Sequence, residues 1–148
     1  MNWDAIGATG EILGALSVLI TLIYLASQVT LTRNSFKFST ARDIMDKFDR
    51  LNGQVVADEK LRNALMKEGE LTSDEEEQVY TFTNMYCNTW QVVETAYRNG
   101  LIDDGFYAAG KKDVLFEMKR WPNFGPFVLR WLENYPEFKE YEIFKQVT

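Results

Sequence analysis

The sequence predicts an all-α protein with one N-terminal transmembrane helix in residues 1–29 and a five- or six-helix cytoplasmic bundle in residues 30–148. Three observations carry this. The 25 residues from Ala5 to Val29 hold one charged side chain, Glu11, and no proline. Beyond Val29, apolar residues recur at helical spacing, and no Asn-Gly sits between alternating apolar residues as a β-hairpin would require. Caps, glycines and prolines then cut that remainder into short-looped segments, the pattern of a bundle.

At about 1.5 Å per residue, Ala5 to Val29 makes roughly 37 Å of helix, enough to cross a hydrocarbon core of about 30 Å. Trp3 and Tyr24 stand about 32 Å apart along it, as interfacial aromatic residues do. A cleaved signal peptide is disfavoured because no Lys or Arg precedes the apolar stretch. A buried core helix of a soluble domain is disfavoured by its length. All sixteen basic residues lie at or after Arg33. The positive-inside rule therefore puts the Met1–Asp4 tail outside the cytoplasmic membrane and residues 30–148 in the cytoplasm. The single Cys87 agrees with a reducing compartment.

Turned at about 100° per residue, the span separates into faces. Gly7, Gly10, Gly14, Ser17 and Thr21 share one side, and Gly10 with Gly14 spells G-x-x-x-G. Ala8, Ala15 and Ala26 form a second small strip, while Ile12, Leu13, Leu16, Leu19, Ile20 and Ile23 make the lipid-facing arc. Small residues let helix backbones approach, so two strips accommodate a neighbour on each side, and the expected partner is a second copy in a symmetric homo-oligomer. An accessory subunit docked on a larger membrane complex would use the same face. Glu11 lies between the strips, and an ionisable group there must be paired, hydrated or protonated. Val18 and Leu25 follow it at seven-residue steps. A ring of such helices would be a cation-permeable pore with a carboxylate vestibule and an apolar constriction; the alternative is a packing role for Glu11.

In the remainder, a helix is expected from about Thr32 to Val56, with Phe38, Ala41, Met45, Phe48, Leu51 and Val55 on its buried face. A short helix over residues 60–67 follows. Thr72-Ser73-Asp74-Glu75 spells a capping box, so the acidic run there caps a helix before it binds a metal. The helix it opens carries Val79, Phe82, Tyr86, Trp90, Val93 and Tyr97 in one stripe, and Gly100 closes it. Asp103 or Asp104 caps the next, which Pro122 stops. Gly125-Pro126 opens another through Leu132, and Pro136 starts a last short helix with Phe138, Tyr141 and Phe144. The aromatic run Trp121, Phe124, Phe127, Trp131, Tyr135, Phe138 reads as core.

The Ala5–Ala15 spelling AIGATGEILGA, the Tyr24–Val29 spelling YLASQV, Trp90 with Glu94 and Tyr97, the Gly100–Asp104 spelling GLIDD and the Trp131–Phe138 segment resemble a family of uncharacterised bacterial single-pass membrane proteins. Its members have one N-terminal membrane helix and a helical cytoplasmic domain. The resemblance spans most of the chain and implies the bacterial inner membrane. It implies no activity. Members usually carry a basic residue directly after the Gln that matches Gln28, whereas Thr30 and Leu31 stand in that neighbourhood here.

The composition points to no cofactor and away from catalysis. There is no histidine and one cysteine, which removes the usual triads, zinc sites and iron-sulfur ligation. Asp43, Asp46 and Asp49 recur at three-residue spacing, but Arg42, Lys47 and Arg50 alternate with them, the mark of a solvated, ion-paired face. Glu94 and Arg98 form an i,i+4 pair beside the aromatic stripe with no second acid or nucleophile evident. Residues 30–148 hold sixteen basic and twenty acidic residues, a net charge of −4, which argues against a nucleic-acid partner.

Overall fold

A computed structural model describes residues 3–147, and every regular element among them is helical: α1 (Trp3–Ala57), α2 (Glu59–Met66), α3 (Ser73–Arg98), α4 (Asp104–Arg120), α5 (Phe124–Asn134) and a 3-10 turn (Pro136–Glu140). Met1 and Asn2 of the expected N-terminal tail lie outside the described residues, as do the side chains of Asp4, Ala5 and Ile6. The chain divides into two units, Met1–Phe36 and Lys37–Thr148.

In the first unit every described side chain from Gly7 to Phe36 is exposed. The most apolar 18-residue window has a mean hydropathy of 2.1, and none of it is buried within the molecule. By length and composition this helix can cross a bilayer, and it lacks the burial that a soluble core helix has.

The second unit is built around α3. Its N-terminus carries the expected capping box: the Glu75 N–H donates to Thr72 Oγ1 at 3.4 Å and the Thr72 N–H donates to Glu75 Oε2 at 2.8 Å. Its C-terminus closes through Gly100, whose φ of 65° suits a residue without a Cβ. There the Gly100 N–H reaches the Tyr97 carbonyl and the Leu101 N–H the Ala96 carbonyl, a Schellman closure. Val79, Phe82, Tyr86, Trp90 and Val93 are buried along one stripe, while Tyr97 at its end is half-buried. Phe124 enters α5 at the centre of this stripe, edge-on to Tyr86 and Trp90 with ring centroids 5.4 and 5.9 Å apart. Trp131 stacks on Phe138 and Phe144 packs beside both Trp90 and Trp131, so most of the aromatic run is core; Tyr135 is the exposed exception.

Two local expectations are corrected. In the part of α1 that belongs to this unit, Ala41, Ile44, Phe48, Leu51 and Val55 face the core, whereas Phe38 and Met45 are 74% and 56% exposed. Phe48 meets Tyr86, which lies in the middle of α3, and this contact fixes the helix rotation that turns Met45 outward. The segment after Pro136 is a 3-10 turn followed by further turns, not an α-helix. Tyr141, Phe144 and Val147 each donate their N–H three residues back. Asp103, rather than Asp104, caps α4, accepting the Phe106 N–H at 2.7 Å.

Helix ends inside the unit are satisfied from a distance. Asn123 Nδ2 donates to the Ala64 and Lys67 carbonyls at the end of α2, and Arg62 donates to the Val55 and Val56 carbonyls at the end of α1. Gly110 of α4 packs against α3, where a Cβ would stand 3.0 Å from Cγ1 of the fully buried Val93. Gly110→Ala is therefore expected to destabilise the protein by about 1–3 kcal/mol through overpacking. Gly53→Ala, in an exposed helical position with nothing within 4 Å, should stabilise it by about 0.5–1 kcal/mol. Thermal unfolding of the two variants followed by circular dichroism checks the opposite signs.

Candidate functional site

The residues expected to mediate helix contact sit on an open helix surface. No heavy atom outside the helix's own backbone lies within 4 Å of where a Cβ would stand at Gly7, Gly10 or Gly14, and Ala8 and Ala15 are exposed. Ser17 donates its hydroxyl to the Leu13 carbonyl and Thr21 to the Ser17 carbonyl, both at 2.8 Å. These hydroxyl protons are used inside the helix, so the strip offers close backbone approach rather than free donors. Among the described residues Glu11 has no hydrogen-bond or ion-pair partner. Val18 and Leu25 are 60% and 52% exposed, and a single chain brings nothing else to the line they share with Glu11.

The domain's most constrained chemistry lies elsewhere, at Glu94 on α3. The residue is 1% exposed. Oε1 accepts from Arg98 Nε at 2.8 Å; Oε2 accepts from the Tyr107 hydroxyl at 2.5 Å and from the Ile143 N–H at 3.1 Å. One carboxylate thus joins α3, α4 and the C-terminal segment. Aromatic rings enclose it: Tyr97 stacks on Tyr107 at 3.9 Å, and the Arg98 guanidinium lies 4.3 Å over the Tyr141 ring. Burial pushes the Glu94 carboxyl up, but the bonds from Tyr107, Arg98 and the Ile143 N–H outweigh it and hold the group below the usual range. Burial, then the Glu94 partner, push the Tyr107 hydroxyl up, so it stays a donor.

A second pair of acids lines α4. Asp113 Oδ2 accepts from Trp90 Nε1 at 2.9 Å, and Glu117 Oε2 accepts from Trp121 Nε1 at 2.7 Å. Arg120 meets Glu117 Oε1 only at 3.3 Å. Here burial wins, and both carboxyls are raised above their usual values. These acids serve as acceptors for two buried indole N–H groups, a demand that tryptophan imposes on any core it enters.

The Glu94–Arg98 pair was legible as an i,i+4 spacing; its burial was signalled by Glu94 standing four residues after Trp90. Tyr107 and the Ile143 N–H carried no local signal. Asp43, Asp46 and Asp49 are exposed, and among the described residues none forms an ion pair; Arg50 donates instead to the Asp46 backbone carbonyl. Cys87 is fully buried, and burial pushes its thiol up, away from the reactive thiolate. No family model, curated protein or solved structure matches the chain.

The two acid sets bear on stability with opposite signs. For Glu94 the folded value is depressed, so its contribution is present above the ordinary carboxylate range and is lost as pH falls through the folded value. For Asp113 and Glu117 the folded values are raised, so stability falls as pH rises from the ordinary range through those values. Glu94→Gln, which cannot accept from all three donors, is expected to cost about 3 kcal/mol at neutral pH and to flatten the acid limb of the stability profile. Glu117→Gln keeps an acceptor for Trp121 and should cost less than about 1 kcal/mol. Chemical unfolding of the full chain in detergent, measured across acid to neutral pH, distinguishes the two.

Proposed function

We propose that the chain is a single-pass protein of the bacterial inner membrane that self-associates into a symmetric homo-oligomer through Gly7, Gly10, Gly14, Ser17 and Thr21, with Ala8 and Ala15 as a second contact strip. One observation carries the membrane reading: an apolar helix window of mean hydropathy 2.1 has no part of the molecule covering it. Ten large apolar side chains from Ile12 to Leu25, Tyr24 among them, are each about half exposed or more. At about 1.5–3 kcal/mol for a fully buried side chain, water contact there forfeits roughly 10 kcal/mol, which lipid restores. The placement of every Lys and Arg at or after Arg33 supports an N-terminus outside and a cytoplasmic C-terminal domain.

Self-association is supported by the open space at three glycines on one face. It also supplies what Glu11 lacks within its own helix, a neighbour able to pair or hydrate it. In nonionic detergent the wild-type chain should run at a multiple of its 17.2 kDa mass, and Gly10→Leu with Gly14→Leu should return it to a monomer. A wild-type monomer, or leucine variants with unchanged mass, overturns self-association. A foreign membrane protein recovered at equal stoichiometry would assign the same face to an accessory subunit instead.

The unpartnered Glu11 gives the pore reading its own test. Glu11→Gln keeps the shape and removes the charge; in liposomes it should lower cation selectivity, and Val18→Ser should wet the constriction and increase flux. Absence of flux from wild type and Val18→Ser alike leaves Glu11 a packing residue.

A further inference from the structure

Between the end of α1, the start of α2 and the N-terminal half of α3 lies a solvent-open groove of about 1050 Å3. Its floor is apolar: Leu61 and Phe82 form the base, and Met85 stands 40% exposed on one wall. Its rim carries Asp58, Glu59, Asp74 and Glu77 against a single Lys60. The groove therefore holds a net charge of −3, most of the −4 that residues 30–148 carry together.

The groove acids stand largely unneutralised beside its apolar floor. Among the described residues Glu75, Glu76, Glu94, Glu117 and Glu142 each hold a Lys or Arg within 4 Å, whereas Asp43, Asp46 and Asp49 on the exposed face of α1 do not. At the groove, Asp58 does no more than cap α2 through the Leu61 N–H, and Glu59, Asp74 and Glu77 have no partner among the described residues. Unneutralised charge thus stands here beside exposed apolar surface. A metal ion is a poor occupant, because among the described residues no three acids converge as ligands. A small molecule is also a poor occupant, since the groove is open to solvent rather than enclosing.

We infer that this groove is a docking site for a cationic amphipathic helix of a partner protein, its apolar face on Leu61, Phe82 and Met85 and its basic residues toward the four carboxylates. Helix-in-groove recognition needs this combination: a flexible apolar floor for affinity, to which methionine adapts well, and a charged rim for orientation. The inference is independent of self-association through the span.

The test uses the full chain in discs of zwitterionic lipid, with an environment-sensitive fluorophore on Asn88→Cys, an exposed position one turn beyond Met85; Cys87 is fully buried and does not label. The probe is a synthetic Leu/Lys peptide of about 18 residues with its leucines on one helical face. A saturable spectral shift is expected, with about tenfold weaker binding for a scrambled peptide of equal composition. Asp74→Asn with Glu77→Gln should weaken binding about tenfold, whereas Asp43→Asn with Asp46→Asn, which removes equal charge away from the groove, should leave it unchanged. Equal binding of the scrambled peptide, equal weakening by both double variants, or no saturable shift each overturns the inference. A shift that appears on concentrating the protein without peptide assigns the groove to a second copy and overturns it as well.

Discussion

Apolar side chains that a chain does not cover with itself must be covered by something else, and here that surface is the Gly7–Phe36 stretch of α1. From Ile12 to Leu25 the large side chains are about half exposed or more, and no other described element lies over them. A domain is only marginally stable, by about 5–15 kcal/mol, so leaving this area in water would cost as much as folding gains. In the proposed membrane placement, lipid covers the leucines and isoleucines. In that placement Glu11 still needs a partner, and the proposed self-association through the glycine strip would bring another helix close enough to supply one.

The Lys37–Thr148 unit meets the converse demand, polar groups that must be buried. Two indole N–H groups, the ends of α1 and α2, and the backbone of the last segment all need partners away from bulk water. Asp113 and Glu117 take the indoles, Arg62 and Asn123 take the helix carbonyls, and Glu94 takes the Ile143 N–H. Among the described residues, Glu94 has enough donors to lower its carboxyl below the usual range, whereas Asp113 and Glu117 do not. Glu94 therefore serves as the fixed point through which α3 holds both α4 and the C-terminal turns.

Much of this architecture was written locally. The Thr72 capping box, the Gly100 closure and the α3 stripe each depend on residues within one or two turns and are readable from spacing, whereas spacing leaves the α4 cap open between Asp103 and Asp104. The errors arose where one sequence pattern fits two geometries. On α1, Phe38 and Met45 share helical spacing with Phe48 and Leu51, and the choice between adjoining faces was made by where Tyr86 meets the helix. After Pro136, aromatics recur every three residues at Phe138, Tyr141 and Phe144, a period that an α-helix tolerates but that a 3-10 turn eclipses. The Glu94 clasp draws on Tyr107 and Ile143, 13 and 49 residues away, and no local spacing encodes such a meeting.

The central claim is that lipid covers the apolar stretch of α1. Alkaline carbonate extraction of membranes from cells expressing the full chain measures this most directly, because it releases peripheral proteins and leaves spanning helices in the bilayer. Recovery of the protein in the membrane pellet is the predicted result. Its release into the supernatant would contradict the account, and the uncovered face of α1 would then have to be buried against protein.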